Sequence, residues 1–164
     1  MAANAKPVPE GFNTITVHLS VREASRAIEF YKNALGAQVL GVHHAPDGKV
    51  IHALLKIGDS LLMLADEFPG RGTPSPQTLG GSPVVLNVYV EDVDKLWQQA
   101  VTAGATVTMP LGDQFWGDRY GQVRDPFGHN WSLASRKEDI TPAEMERRSK
   151  EVFAQMAAKG VGQS

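Results

Sequence analysis

The chain has 164 residues, a mass of 17.7 kDa and a formal net charge of -2 at pH 7. This length predicts one domain, and the near-neutral charge argues against nucleic acid and membrane partners, since both favour a strongly basic surface. The absence of cysteine excludes disulfides, thiolate metal sites and a thiol nucleophile. Residues 1–11 contain no apolar segment typical of a secretion signal, so we expect a cytoplasmic protein.

The first half of the chain begins with an alternating strand pattern. Its segment Val17 to Glu23 resembles Leu86 to Asp92 in the second half, both in alternation and in its acidic ending. Each copy predicts a strand that leads into a helix. In the first copy the helical spacing continues to Leu35, and Gly36 stands where a left-handed residue ends a helix. Three strand-like runs follow, at 38–42, 50–57 and 60–65.

The second half repeats the same order of elements. Asp92 is the expected N-cap of a helix that ends near Gly104, and strand-like runs follow at 106–109, 120–124 and 130–135. Before the last run, Asp125-Pro126-Phe127-Gly128 has the residue types that a type I turn favours. The sequence therefore predicts an α+β protein built from two βαβββ modules, at about 12–66 and about 83–136.

A linker and a C-terminal extension complete the predicted organisation. The linker spans residues 67–82, and because Glu67 to Pro83 contains four Gly and four Pro, we expect a surface connection without helix or central strand. Residues 1–136 form the predicted domain. Residues 137–164 form a helical extension that begins with the capping box Thr141-Pro142-Ala143-Glu144. Its apolar face consists of Met145, Val152, Phe153 and Met156. We expect this face to dock onto its own domain, with a contact between two copies as the alternative.

The element order and several short motifs resemble the vicinal oxygen chelate superfamily, which includes glyoxalase I, ring-cleaving dioxygenases and bleomycin resistance proteins. The motifs are Glu29-Phe30-Tyr31, Leu35-Gly36 and Asp125-Pro126-Phe127-Gly128-His129. Finer motifs resemble its PhnB-like branch, namely Pro9-Glu10-Gly11-Phe12, His52-Ala53, Gly58-Asp59-Ser60 and Trp116-Gly117-Asp118-Arg119-Tyr120-Gly121. The resemblance covers about residues 10 to 136. It implies a cupped sheet of the glyoxalase/bleomycin-resistance type and a homodimer.

Side-chain alternation assigns the faces of the predicted strands. The apolar set of the first strand, which we expect to pack against the helices, is Ile15, Val17, Leu19 and Val21. The residues expected to face the cup are Thr16, His18 and Ser20, then Val85, Asn87 and Tyr89, and in the last strand Asn130, Ser132 and Ala134.

In metal-dependent members of the superfamily, four cup-facing side chains hold a divalent ion. The resemblance assigns these positions to Thr16, Met63, Val85 and Ser132. Such ions prefer imidazole or carboxylate ligands, and none of the four positions supplies one. The resemblance therefore implies a cup without the metal ion, and we expect no other cofactor. The alternative is a divalent metal ion at a displaced site formed by His18, His52 and a carboxylate.

The five histidines have different predicted roles. His18 faces the predicted cup and is the candidate catalytic residue, as a hydrogen-bond partner or a general base. His52 is a candidate ligand contact near the cup rim. We expect a structural hydrogen bond for His129 and solvent exposure for His43 and His44.

The segment 115–120 places three aromatic residues beside an acid and a base, and we expect it to overhang the cup mouth. Trp116 offers a large apolar face to a flat ligand, and Arg119 could hold a carboxylate or phosphate through paired hydrogen bonds. The alternative is that Trp116 fills the interface between the modules and that Asp118 pairs with Arg119.

These assignments predict a metal-free protein that binds a small aromatic or acidic molecule and either sequesters it or converts it by acid–base chemistry. The predicted ligand-binding residues are Thr16, His18, His52, Met63, Val85, Asn87, Tyr89, Trp116, Arg119 and Ser132. One alternative is a metal-dependent glyoxalase, lyase or dioxygenase with a displaced metal site. Another is a catalytically silent dimer that serves as an interaction module.

Overall fold

The computed structural model describes residues 5–160, so the expectations for residues 1–4 and 161–164 lie outside it. The described chain forms, in order, β1 (Val17–Val21), α1 (Ala24–Leu35), β2 (Gln38–His44), β3 (Val50–Ile57), β4 (Ser60–Asp66), α2 (Pro76–Leu79), β5 (Val85–Tyr89), α3 (Val93–Thr102), β6 (Thr106–Asp113), β7 (Asp118–Arg124), β8 (Asn130–Arg136) and α4 (Pro142–Ala158). Within residues 5–160, no helix is both long and apolar enough to cross a membrane.

Both modules form a four-stranded sheet with the same strand order. The first sheet runs β1-β4-β3-β2 and the second runs β5-β8-β7-β6. In each sheet the first pair of strands is parallel and the other two pairs are antiparallel. This arrangement confirms the predicted α+β fold of two βαβββ modules with a C-terminal helix.

Helices α1 and α3 cover one face of each sheet and also contact each other. Gly36 ends α1 with a φ of 66°, and the Asp92 side chain accepts a hydrogen bond from Lys95 N, as the sequence predicted. The first turn of α1 has no side-chain cap from its own N-cap residue. Its Ala24 N donates to the distant Asp66 Oδ1 at 2.8 Å. The other face of each sheet carries no helix of its module, and we call it the open face.

Asp125 joins the two modules. Its buried carboxylate accepts hydrogen bonds from Tyr31 OH at 2.7 Å and from Trp131 Nε1 at 2.9 Å, while Phe127 N and His129 N donate to its other oxygen. Burial, with the Asp125 charge in addition, raises the pKa of Tyr31 well above its ordinary value. Gly128 N donates to Asp125 O at 3.1 Å, which closes the predicted turn. His129 Nε2 lies 3.1 Å from Ser20 O and adds a second contact between the modules.

The linker and β6 differ from their predictions. The linker contains the short helix α2, in which Ser75 is the N-cap and Pro76 occupies a first-turn position that needs no N–H donor. The expectation of a helix-free linker is therefore wrong. Strand β6 continues through Pro110 to Asp113, because it lies at the sheet edge, where a residue without an N–H donor is tolerated.

Two apolar surfaces also differ from prediction. Ile15 was expected against the helices, but it precedes β1 and is 85% exposed. In α4, Phe153 is 64% exposed and Met156 is 44% exposed, so the expected docking of this face onto its own domain is wrong for these two residues. The helix is instead held by charge, because Arg148 pairs with Glu138 and contacts Phe115 O.

Candidate functional site

A cleft of about 690 Å³ lies between the two modules. It lies along β1 and β5, which are the edge strands where the two sheets approach each other. Four of the ten predicted ligand-binding residues line it: Thr16, Val85, Asn87 and Tyr89. The remaining six lie elsewhere on the two modules.

The open face of the second sheet continues from this cleft and is rich in aromatic and amide groups. We call the set Asn87, Tyr89, Tyr120, Gln122 and Ser132 the aromatic–amide face. Asn87 and Gln122 flank Ser132 across neighbouring strands, and the buried Ser132 Oγ donates to Asn87 Oδ1 at 2.5 Å. Gln122 Nε2 donates to Tyr120 OH at 2.7 Å. The polar side chains of this face are therefore fixed by one another.

Asp118 organises the far end of this face. It is only 2% exposed, and its Oδ2 accepts hydrogen bonds from Tyr89 OH at 2.6 Å and from Trp116 Nε1 at 3.1 Å. Arg136 Nε lies 2.7 Å from the other carboxylate oxygen and compensates its charge. The hydrogen bond to Asp118 is the main cause that raises the pKa of Tyr89 above its ordinary value, so Tyr89 remains a proton donor at neutral pH. Asp118 thus holds two aromatic rings and a guanidinium in place.

Arg119 does not lie at the cup mouth, so its expected location is wrong. Its guanidinium is held on the helix side by Asp94 of α3, with an Nε–Oδ2 distance of 2.8 Å, and by Asp113. The predicted alternative, an Asp118–Arg119 pair, is also wrong, because neighbouring residues of β7 project from opposite faces. Arg136 pairs with Asp118 instead, and its side chain is 52% exposed.

The open face of the first sheet carries histidines instead of amides. His18 lies beside Met63 in the parallel pairing of β1 with β4. The rings of His18 and His52 are 6.2 Å apart, and His43 lies 6.3 Å from His52. His43 is exposed, but it belongs to this row of imidazoles, which the sequence did not indicate. Partial burial and, to a smaller extent, His52 lower the pKa of His18, which favours its neutral form.

The residues at the four metal positions of metal-dependent relatives do not fit a divalent ion. Val85 has only an isopropyl group, Met63 a thioether and Thr16 a neutral hydroxyl. The hydroxyl of Ser132 is already engaged with Asn87. Within residues 5–160, no three His, Asp or Glu side chains are grouped closely enough to hold an ion.

Sequence reasoning included Tyr120 in the segment 115–120 but not among the ligand-binding residues, and it missed Gln122 and Arg136. Alternation along β7 places Tyr120 and Gln122 on the same face as Asp118. In β8, Arg136 is two residues beyond Ala134, which had been assigned to the cup. One more step of alternation along β8 would have identified Arg136, and applying the same alternation to β7 would have identified Tyr120 and Gln122.

Comparisons with known proteins agree with this architecture. The model of the Glyoxalase/Bleomycin resistance protein/Dioxygenase superfamily matches residues 11–133. The chain belongs to this superfamily. It is 42% identical to the uncharacterized protein Mb0911c of Mycobacterium bovis, over 99% of this chain and 100% of that protein.

Two crystal structures illustrate the shared fold. TioX from Micromonospora sp. ML1 is 28% identical, with a TM-score of 0.60 over 79% of this chain and 100% of TioX. TnmS3, an antibiotic binding protein from Streptomyces sp. CB03234, is 22% identical, with a TM-score of 0.56 over 77% of this chain and 100% of TnmS3. The likeness to TnmS3 shows the fold alone.

Proposed function

We propose that this superfamily member binds a small aromatic or acidic molecule at the aromatic–amide face and the adjoining cleft, without the metal ion of its metal-dependent relatives. The observation that carries the proposal is the Asp118 cluster, which presents Tyr89 and Trp116 beside the half-exposed guanidinium of Arg136. Small-molecule sites usually combine apolar walls with a few polar groups in fixed positions, and this face has both.

Each part of the cluster supplies a distinct contact. Tyr89 is 56% exposed, and Trp116 stands edge-on to Tyr120 at 5.4 Å, so flat ligand surface can lie against aromatic rings. Arg136 Nη1 lies 3.5 Å from Asp139 Oδ1, and the Asp139 side chain is 97% exposed. A ligand carboxylate can replace this weak contact and form a stronger charge-assisted hydrogen bond. Because Asp118 already orders these groups, binding loses little side-chain entropy.

Sequestration and acid–base conversion are both compatible with these contacts, and we favour sequestration. For conversion, His18 is the candidate base, since its lowered pKa leaves an imidazole nitrogen able to accept a proton. The proposal also includes a homodimer in the cytoplasm. The finer placement in the PhnB-like branch rests on the motifs at 9–12, 52–53, 58–60 and 116–121.

A thermal-shift screen against aromatic acids, catechols, dicarbonyls and glycopeptide drugs identifies ligands, and calorimetry measures their affinity. We expect Trp116→Ala to weaken binding about tenfold, or about 1.4 kcal/mol. The control is Phe153→Ala, which removes an exposed aromatic side chain of α4. A ligand bound equally by Trp116→Ala and the wild type would contradict the proposed site. A screen without any hit would favour the interaction module instead.

A second candidate, a metal-dependent glyoxalase, lyase or dioxygenase, is favoured by the 6.2 Å approach of His18 to His52. Titration with Ni²⁺, Zn²⁺, Mn²⁺ and Fe²⁺ tests it. Stoichiometric tight binding that is lost in His18→Ala and kept in His44→Ala would establish a displaced metal site and end the metal-free proposal.

A further inference from the structure

The connection between the modules forms a second pocket, of about 660 Å³. Its lining comes from Arg22, just after β1, from Lys49, just before β3, and from the segment 67–78. None of its lining residues belongs to the inter-module cleft or to the aromatic–amide face. Three of them are cationic, namely Arg22, Lys49 and Arg71, against the single carboxylate of Glu67.

Glu67 connects several residues of the pocket through hydrogen bonds. Its Oε2 accepts hydrogen bonds from Ser75 Oγ and Thr78 Oγ1, both at 2.8 Å, and from Arg22 Nε at 3.2 Å. The hydroxyl donors of Thr78 and Ser75 are the main causes that lower the pKa of Glu67 to about 2. Its charge is therefore compensated by Arg22 and by the hydroxyl donors of the buried Ser75 and the exposed Thr78, and neither Lys49 nor Arg71 contributes to this compensation.

A tight turn fixes Arg71 at the pocket. In Phe68-Pro69-Gly70-Arg71, Arg71 N donates to Phe68 O at 2.9 Å, and Gly70 has a φ of 74°. Proline at the second position and glycine with positive φ at the third define a type II turn, which restricts the backbone. Lys49 Nζ lies 5.4 Å from the centre of the Phe68 ring, and Phe68 and Arg71 both line the pocket.

Lys49 and Arg71 give the pocket an uncompensated positive charge. Among residues 5–160, neither side chain has a carboxylate within ion-pair distance. Two adjacent cations on a chain of net charge -2 create a local field that favours a compact dianion. A guanidinium matches phosphate oxygens with paired hydrogen bonds, and a lysine ammonium adds a point charge.

We propose that this pocket binds a phosphate group, carried by a small organic molecule or present as inorganic phosphate. Arg71 and Lys49 contact the phosphate oxygens, and the Phe68 ring provides an apolar surface for an organic portion. A nucleic acid backbone is a poorer match, because it needs a track of cations, whereas Arg71 and Lys49 are the two lining cations that lack a carboxylate partner within residues 5–160.

Calorimetric titration with inorganic phosphate and with phenyl phosphate, at constant ionic strength in chloride, tests the proposal. We expect saturable binding that weakens about tenfold in Arg71→Ala and in Lys49→Ala, with an intermediate loss in Arg71→Lys. Lys150→Ala is the matched control, since it removes one charge from α4, where Lys150 pairs only with Glu146 among described residues. Tighter binding of phenyl phosphate identifies an organic phosphate as the ligand, and equal affinity identifies inorganic phosphate.

Three results would overturn the proposal. They are the absence of saturable binding to the wild type, unchanged affinity in Arg71→Ala and Lys49→Ala, and an equal loss in Lys150→Ala. Circular dichroism of each variant shows whether the fold is retained. The proposed function is tested independently, because Trp116→Ala changes the Asp118 cluster at the end of the aromatic–amide face and alters no lining residue of the phosphate pocket.

Discussion

The two modules share one backbone plan and differ in the chemistry of their open faces. In the first sheet, His18, Met63 and Leu54 lie side by side on three neighbouring strands. The corresponding row in the second sheet is Asn87, Ser132 and Gln122. The row of the first module thus contains one imidazole and two apolar side chains. The equivalent row of the second module contains three hydrogen-bonding side chains.

This difference shows that the repeated fold determines where side chains stand but leaves their chemistry free. The covered faces are similar, since Leu64 and Leu133 are both fully buried at equivalent positions. The open faces diverge, because exposed positions such as His18 and Asn87 tolerate many side chains, while core positions must fill a defined space. This contrast is why we propose the second module, whose polar groups are already paired, as the site of ligand binding.

The largest difference in stability is expected between two turns. Asp125→Ala leaves four hydrogen-bond donors without their acceptor in a buried position and should lower the free energy of unfolding by about 3–5 kcal/mol. Asp59, in the corresponding turn of the first module, is exposed. Asp59→Ala should therefore change the free energy of unfolding by less than about 0.5 kcal/mol. Urea unfolding measures both variants. Similar losses would mean that the two turns contribute equally.

A smaller effect is expected at equivalent positions in β3 and β7. A Cβ added at Gly121 would lie 2.6 Å from the Trp97 ring and 2.9 Å from the Leu111 backbone. Gly121→Ala should therefore cost about 2 kcal/mol through overpacking. Its counterpart Ala53 is buried and fits its space, so Ala53→Gly should cost only about 1 kcal/mol. Thermal unfolding of both variants compares them, and a stabilised Gly121→Ala would show that Trp97 moves freely.

The hydrogen bond of Tyr89 to Asp118 should contribute about 1 kcal/mol, which Tyr89→Phe removes. Because the pKa of Tyr89 is raised in the folded protein, this stabilisation is present below the unfolded pKa and is lost as pH rises through the folded one. The difference in unfolding free energy between wild type and Tyr89→Phe should shrink at alkaline pH. Ser20→Ala is the control from the first module. It removes the hydrogen bond from Ser20 Oγ to Thr73 O, and neither of these two groups titrates, so its effect should not change with pH.

The smallest effect concerns the imidazole row. We expect His18 to titrate below its ordinary pKa of 6.5, and His52→Asn to raise that pKa without restoring it fully, because burial is the larger cause. Since the folded pKa is lowered, the stabilisation is present above the unfolded pKa and is lost as pH falls through the folded one. NMR titration of the histidine ring protons measures this, with His44→Asn as control. A His18 pKa unaffected by His52→Asn would show that the two rings do not interact.

The parts of the fold set by neighbouring residues could be predicted from the sequence. Alternation identified Leu19 and Val21 as buried, and the residue types of the Asp125 turn identified the β7–β8 hairpin. The partners of charged side chains could not be predicted in the same way. Arg119 pairs with Asp94, 25 residues away, and Arg136 takes the place next to Asp118 that had been considered for Arg119.

The sequence alone determined the repeated strand and helix pattern, the C-terminal end of α1 and the N-cap of α3, because these depend on local spacing and residue type. The resemblance to the superfamily assigned the four metal positions. Only the tertiary structure decided that Asp125 joins the modules through Tyr31, that Asp118 orders the aromatic–amide face, and that the linker gathers Lys49 and Arg71 around one pocket. These arrangements join residues far apart in the chain. Their partners are selected by packing and by the need to pair buried polar groups, and neither leaves a periodic pattern in the sequence.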